Sequence, residues 1–217
     1  MTIGCGGQTG GGIVGQNTCL IKSNKEIKCY GWDEYDQVSN TPTSDTYNFI
    51  SSGFGHNCAM SSTTSKITCW GFDIHDQVSN TPTSGTYNFI SSGYYHNCAI
   101  SSTTSKITCW GSDGNDQVSN TPTSDTYNFI SSGIYHNCAI VSTTSKITCW
   151  GYDAYNQVSD TPISDTYNFI SSGSYHNGAI SSTTSKFILW GDDNVNQVYD
   201  TPTSDTLSLN TSEYTIQ

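Results

Sequence analysis

A 40-residue period constrains this chain more than any other feature of its sequence. Residues 71–110 and 111–150 differ at only six of forty positions, and self-similarity at such a period is the mark of a repeat architecture. Full copies span 31–70, 71–110, 111–150 and 151–190. Each opens on Gly-x-Asp-x-x-(Asp/Asn)-Gln-Val and closes on Trp70, Trp110, Trp150 or Trp190. The ends hold part-copies. Residues 15–30 reproduce the second half, with Tyr30 in the tryptophan place and Gln16 in the histidine place; 191–207 reproduce the first half, and 208–217 form a tail. The whole of 1–217 reads as a single repeat domain.

Within a copy, Thr46 to Ile50, His56 to Met60 and Lys66 to Trp70 read as strands, and Gln77-Val78 as a short fourth. The Thr-Pro-Thr-Ser-Asp segments and the polar run Ser61 to Ser65 are turn chemistry. No window carries a sustained helical period. Four short antiparallel strands per repeat make the all-β propeller blade, with a stack of β-solenoid coils as the competing architecture. The count is about five blades: four full copies, and one blade completed from the half-repeats 15–30 and 191–207. Used between molecules, the same halves would complete one another and polymerise by strand complementation.

Ser-Gly-x-x-His-Asn-Cys-Ala-Ile, a polar turn, and Lys-Ile-Thr-Cys-Trp-Gly-x-Asp-x-x-Asp-Gln-Val together resemble the repeat of the regulator of chromosome condensation family. Blades of that family carry Gly-x-x-His-x-x-Ala-Leu and Trp-Gly-x-Asn-x-x-Gly-Gln. The resemblance runs from about Gly15 to Asp205 and implies a closed β-propeller, usually of seven blades. It also implies a structural hydrogen bond for His56, His96, His136 and His176. Asp73, Asp113, Asp153 and Asp193 stand where the family has Asn, and Asp76, Asp116, Asn156 and Asn196 where it has Gly. Two further propeller analogies are a secreted bacterial inhibitor of β-lactamases, close in repeat length, and the five-bladed tachylectin-type lectins.

His56, Cys58 and Cys69 invite a Cys-His dyad or a zinc site, because His56 and Cys58 are two apart on one strand face. The copies test this. Copy 151–190 has Gly178 and Leu189 at both cysteine places yet keeps His176, whereas the first half-copy keeps Cys19 and Cys29 without the histidine. Cysteines that vanish in pairs behave as disulfides. Positions 58 and 69 oppose each other across the hairpin, at a Cβ separation of ~4.5–5.5 Å. The expected pairs are Cys58–Cys69, Cys98–Cys109, Cys138–Cys149 and, with a shifted turn or bulge, Cys19–Cys29. Cys5 is left over, whether free, competing for Cys19 or linking to another chain.

Variation between copies is concentrated in two short stretches at strand ends. They hold Trp32, Tyr35, Phe72, His75, Tyr152 and Tyr155 after the Trp-Gly motif, and Phe54, Tyr94, Tyr95, Tyr135 and Tyr175 after Ser-Ser-Gly. Two readings stay open, unconstrained loop positions or an aromatic contact surface. Asp73/Asp76 and Asp113/Asp116 offer oxygen ligands of the kind calcium takes, but too few by themselves, so no metal or other cofactor is assigned. Asn210-Thr211-Ser212 is a glycosylation sequon.

Eighteen acidic residues against seven basic ones, all lysine, leave a net charge of −11. Such a chain is repelled by phosphate backbones and anionic membrane surfaces, which argues against nucleic acid as a partner. No apolar stretch approaches the ~20 residues that cross a bilayer, which argues against membrane insertion. The first residues lack the charged and apolar regions of a signal peptide; the disulfides nevertheless point to an extracellular or cell-surface setting. A site copied four times suits binding and assembly better than catalysis. The expectation is a non-enzymatic structural or adhesive surface component whose partner is itself, in an oligomer or filament, or a surface protein or glycan. The alternatives are a multivalent carbohydrate-binding lectin and a propeller-type protein inhibitor.

Overall fold

The β-branched and aromatic runs form fifteen strands in a computed structural model that describes residues 3–6, as backbone, and 17–199. They group in chain order into five three-stranded antiparallel sheets. The first is β1 (Ile3–Gly6), β2 (Asn17–Ile21) and β3 (Ile27–Gly31). The second is β4 (Tyr47–Ser52), β5 (His56–Ser61) and β6 (Ile67–Gly71). Next come β7 (Tyr87–Ser92), β8 (His96–Ser101) and β9 (Ile107–Gly111), then β10 (Tyr127–Ser132), β11 (His136–Val141) and β12 (Ile147–Gly151). The last is β13 (Tyr167–Ser172), β14 (His176–Ser181) and β15 (Phe187–Gly191).

Two sequence expectations are corrected. The Gln77-Val78 segment is a turn and not a fourth strand: the Val78 and Ser79 N–H groups donate to the Asp73 carboxylate at 2.7 and 2.9 Å, so they are spent locally and cannot join a ladder. In the first sheet the described third strand is β1, which pairs with β2 from Ile3↔Leu20 to Gly6↔Asn17; residues 200–207 of the half-repeat expected to complete this blade lie outside the described residues. Finally, Asn17 and not Gln16 takes the histidine place, since Asn17 opposes Gly31 as His56 opposes Gly71.

Each β4-type strand carries a bulge. Tyr47 opposes Ser61 and Phe49 opposes Met60, leaving Asn48 unpaired. The extra residue reverses the alternation. Tyr47 and Ile50 therefore pack back on Cys19, Ile21, Ile27 and Cys29 of the first sheet, while Phe49 faces forward with Cys58, Met60 and Ile67 onto Tyr87, Ile90, Ala99 and Trp110. The same layer recurs between the later sheets. Packing passes in this way from each sheet to the next, and among the described residues no comparable packing joins the fifth sheet to the first.

A buried polar latch crosses each junction. His96 Nε2 donates to Asn137 Oδ1 at 2.8 Å, and Asn137 Nδ2 donates to the Gln117 carbonyl at 2.9 Å. The Trp150 indole reaches that same carbonyl at 3.0 Å. The latch repeats as His56–Asn97–Gln77–Trp110 and His136–Asn177–Gln157–Trp190. At the first junction Asn17 Nδ2 replaces the imidazole, donating to Asn57 Oδ1 at 2.8 Å. Asn137→Ala would leave the His96 N–H without an acceptor and remove one bond to Gln117. It should cost about 2–4 kcal/mol of stability in chemical denaturation, and a loss below ~1 kcal/mol would show the latch to be dispensable.

Candidate functional site: an aromatic face

In each of the second to fifth sheets the chain turns at 53–55 or its repeat, returns along the middle strand, turns again at 61–66 or its repeat, and ends the third strand beside the first turn. The Phe72 N–H donates to the Gly55 carbonyl at 2.8 Å and Tyr152 N–H to Tyr135 O at 2.9 Å. The two variable stretches of every copy are therefore brought to one end of the sheets. Gly111 closes this approach: its φ is +103°, and a Cβ there would sit 2.6 Å from the Tyr95 carbonyl, so no other residue fits without displacing backbone.

All eleven aromatic candidates meet there in one connected chain of rings. Trp32 contacts Tyr35 edge-on at 4.9 Å, and Tyr35 lies 4.4 Å from Phe72. Phe72 and His75 both touch Tyr95, at 5.6 and 4.7 Å. Phe54 stacks on Tyr94 at 4.5 Å, and Tyr94 touches Tyr95 at 4.4 Å. The chain continues through Tyr135 to Tyr152, and from Tyr152 to Tyr155 and Tyr175. Separations of 4.5–7 Å at tilted angles are the favourable geometry for aromatic pairs. The rings are half-buried against one another, with Tyr35, His75 and Tyr155 the most open. Burial, followed by the neighbouring Tyr94 phenol, raises the Tyr95 pKa, and burial raises those of Tyr135 and Tyr175. These three phenols are thus uncharged.

The loops that carry the rings are rigid for a reason the residues supply. The Asp33 carboxylate accepts the Val38 and Ser39 N–H groups at 2.7 and 2.9 Å, and the Ser39 and Val38 bonds hold its pKa below the ordinary carboxylate value. An asparagine could accept the same bonds, which accounts for Asp in the family's Asn place. Asp36, Asp76, Asp116, Asn156 and Asn196 have φ between 58° and 61°. Asp and Asn are the non-glycine residues most at ease in that region, which accounts for their standing where the family has Gly. The Asp73/Asp76 pair therefore has a turn-building role, and among the described residues no three His, Cys, Asp or Glu side chains gather as a metal site.

The cysteines are joined as Cys19–Cys29, Cys58–Cys69, Cys98–Cys109 and Cys138–Cys149. The first hairpin accommodates its missing residue in the turn, Ile21 opposing Ile27 where Met60 opposes Ile67. In the last sheet, Gly178 lies opposite Leu189, and the Phe187 and Leu189 side chains fill the space around it. His56, His96 and His136 are committed to the latch. Burial depresses the pKa of His96 and His136 to about 4, and lowers that of His56. Neither thiolate nor free imidazole is left for the dyad or zinc readings among these residues. His176 is less buried than its three counterparts. Cys5 lies on β1 opposite Thr18, and Asn210 falls outside the described residues.

The latch asparagines and the glutamine carbonyls are functional parts of the frame that sequence reasoning missed. Their signal was present, an Asn after every repeated His and a Gln in every Gly-x-Asp-x-x-(Asp/Asn)-Gln. What it lacked was an indication that the partner lies 41 residues on, in the next sheet.

No family model matches the chain, and no curated protein is similar to it in sequence. Solved structures are similar in fold. The ectodomain of the Physcomitrella patens receptor kinase CR4 superposes with a TM-score of 0.75 at 23% identity, over 87% of this chain and 52% of that one. The CRINKLY WD40 ectodomain of the Arabidopsis thaliana receptor kinase ACR4 gives 0.72 at 24%, over 88% and 68%. Yeast RCC1 (Prp20), in its complex with Kap60, gives 0.66 at 15%, over 82% and 54%. The chain thus spans about half the length of the first and third. Identities this low speak to fold alone, and the fold they show is one of β-propeller repeats, shared with yeast RCC1 and with the receptor ectodomains.

Proposed function

We propose that this protein is a non-enzymatic extracellular interaction module, a structural or adhesive surface component that works through the aromatic face. The single observation that carries the reading is that every aromatic variable position falls into one ring cluster, while the scaffold beneath stays nearly identical from copy to copy. Eleven of the variable positions carry rings, ten of them Tyr, Trp or Phe, residues that supply rigid contact area at low entropic cost, beside non-aromatic ones such as Glu34, Ser112 and Gly114 in the same stretches. Two neighbours in fold are receptor ectodomains and a third was solved with a protein partner, which supports a binding role. Four disulfides support an oxidising, extracellular setting.

The test is retention of the purified protein on a glycan array and on cell or matrix-coated surfaces. Tyr35→Ser/Tyr155→Ser, at two open ring positions, should lower retention by roughly tenfold, as expected for contact residues worth ~1.4 kcal/mol. Ser102→Ala, on the opposite hairpins, should leave it unchanged. Retention that is indifferent to the tyrosines would overturn the reading. Selective, saturable binding to particular glycans would convert it to the lectin alternative.

A further inference from the structure

We infer that the partner of the aromatic face is the opposite face of a second copy of this chain, so that copies stack head to tail; this rests on the reading of that face as the working surface. The first ground is a segregation of the cations. All seven lysines lie away from the aromatic end: Lys22, Lys25 and Lys28 in the first hairpin, and Lys66, Lys106, Lys146 and Lys186 one per copy at the 61–66 turn and its repeats. The aromatic end has no cation of its own among the described lysines, and its loops carry Asp33, Glu34, Asp36, Asp73, Asp76, Asp113 and their repeats. Among the described residues the lysine end holds Glu26, Asp45, Asp125 and Asp165 against its seven ammonium groups.

The second ground is that these lysines are largely unspent. Among the described residues the ion pair is Lys22 with Glu26 at 3.1 Å. Lys106 and Lys146 donate to the carbonyls of Thr123, Ser124 and Ile163, which orients the ammonium without neutralising it. Lys25, Lys66 and Lys186 are exposed.

The third ground is spacing. The acidic aromatic loops and the lysine hairpins are generated by one repeat, one of each per sheet, so both ends present the same angular period. A second copy brings its cations at the spacing of the loops they must meet, with ring faces available to the ammonium groups as well. Different surfaces meet on the two sides of such a contact. It is heterologous, does not close on itself, and propagates as a stack. This route to a filament does not require the two half-repeats to complete each other.

Sedimentation over a wide concentration range tests the inference with the full chain and two variants, each checked for folding by circular dichroism. The wild type should form a concentration-dependent series beyond the dimer that dissociates as salt is raised from about 0.05 to 0.5 M. Lys25→Glu/Lys66→Glu/Lys186→Glu and, separately, Tyr35→Ser/Tyr155→Ser should each weaken self-association by roughly a hundredfold. An equimolar mixture of the two retains one good pair of surfaces and should yield a heterodimer and nothing larger. A wild type that stays monomeric, association indifferent to the lysine reversals, or a mixture that still polymerises overturns the stack. Surface retention that depends on Tyr35 and Tyr155 would then stand by itself, so the two readings fail separately.

Discussion

Full reduction of the four disulfides is expected to remove stability on the order of 10 kcal/mol, at about 2–3 kcal/mol for each bridge closing a loop of this length. That is comparable to the entire net stability of a domain. Each bridge lies in a hairpin whose inward face forms the layer onto the next sheet, as Cys58 does with Met60 and Ile67 against Tyr87 and Ile90. Opening it therefore loosens a junction and not a loop. Urea unfolding with and without a reductant measures the effect, and an unmoved midpoint would refute it. The fifth sheet is an internal control. With Gly178 and Leu189 in the cysteine places it has no bridge to lose. Its β14–β15 amides should exchange faster than those of β11–β12 under oxidising conditions, and the difference should shrink on reduction.

Acid should destabilise the fold in a defined window. His96 and His136 titrate near 4 in the folded protein because burial disfavours the imidazolium, against ~6.5 in the unfolded chain. The unfolded chain then binds more protons between those values, so stability is full above about pH 6.5, falls as pH drops, and levels off near 4. At ~1.4 kcal/mol per pH unit the loss is about 3 kcal/mol for each of the two, and His56 adds to it in the same direction. The first junction supplies the control, since there Asn17 holds Asn57 in place of a histidine. His96→Asn/His136→Asn should keep the latch and flatten the profile between pH 6.5 and 4. A profile unchanged in that variant would remove the histidines as its cause.

Much of the frame was legible because the repeat supplies its own controls. Copy 151–190 exchanges both cysteines at once, and that identified the bridges without any coordinates. The variable positions stood out against nearly constant neighbours for the same reason. The bulge at Asn48 and its repeats was not legible: Tyr-Asn-Phe-Ile-Ser-Ser reads as simple alternation, and only pairing with β5 shows that Tyr47 and Phe49 face different sheets. The fourth strand was misread because Gln-Val has β propensity, while the Asp73 carboxylate that captures the Val78 N–H acts across five residues.

The sequence by itself determined that this chain is a β repeat array, with the Thr46, His56 and Lys66 strands and their turns in each full copy, a bridge across the second hairpin of most copies, and an acidic composition with lysine as its only fixed cation. These are properties of local pattern, and forty-residue identity makes them readable. The tertiary structure decided that β1 pairs with β2 of the N-terminal half-copy, where His56, His96 and His136 find their acceptors, and that eleven scattered aromatic residues share one face opposite the lysines. Those outcomes depend on how successive sheets pack, and contacts between residues forty positions apart leave no trace in the spacing of either one.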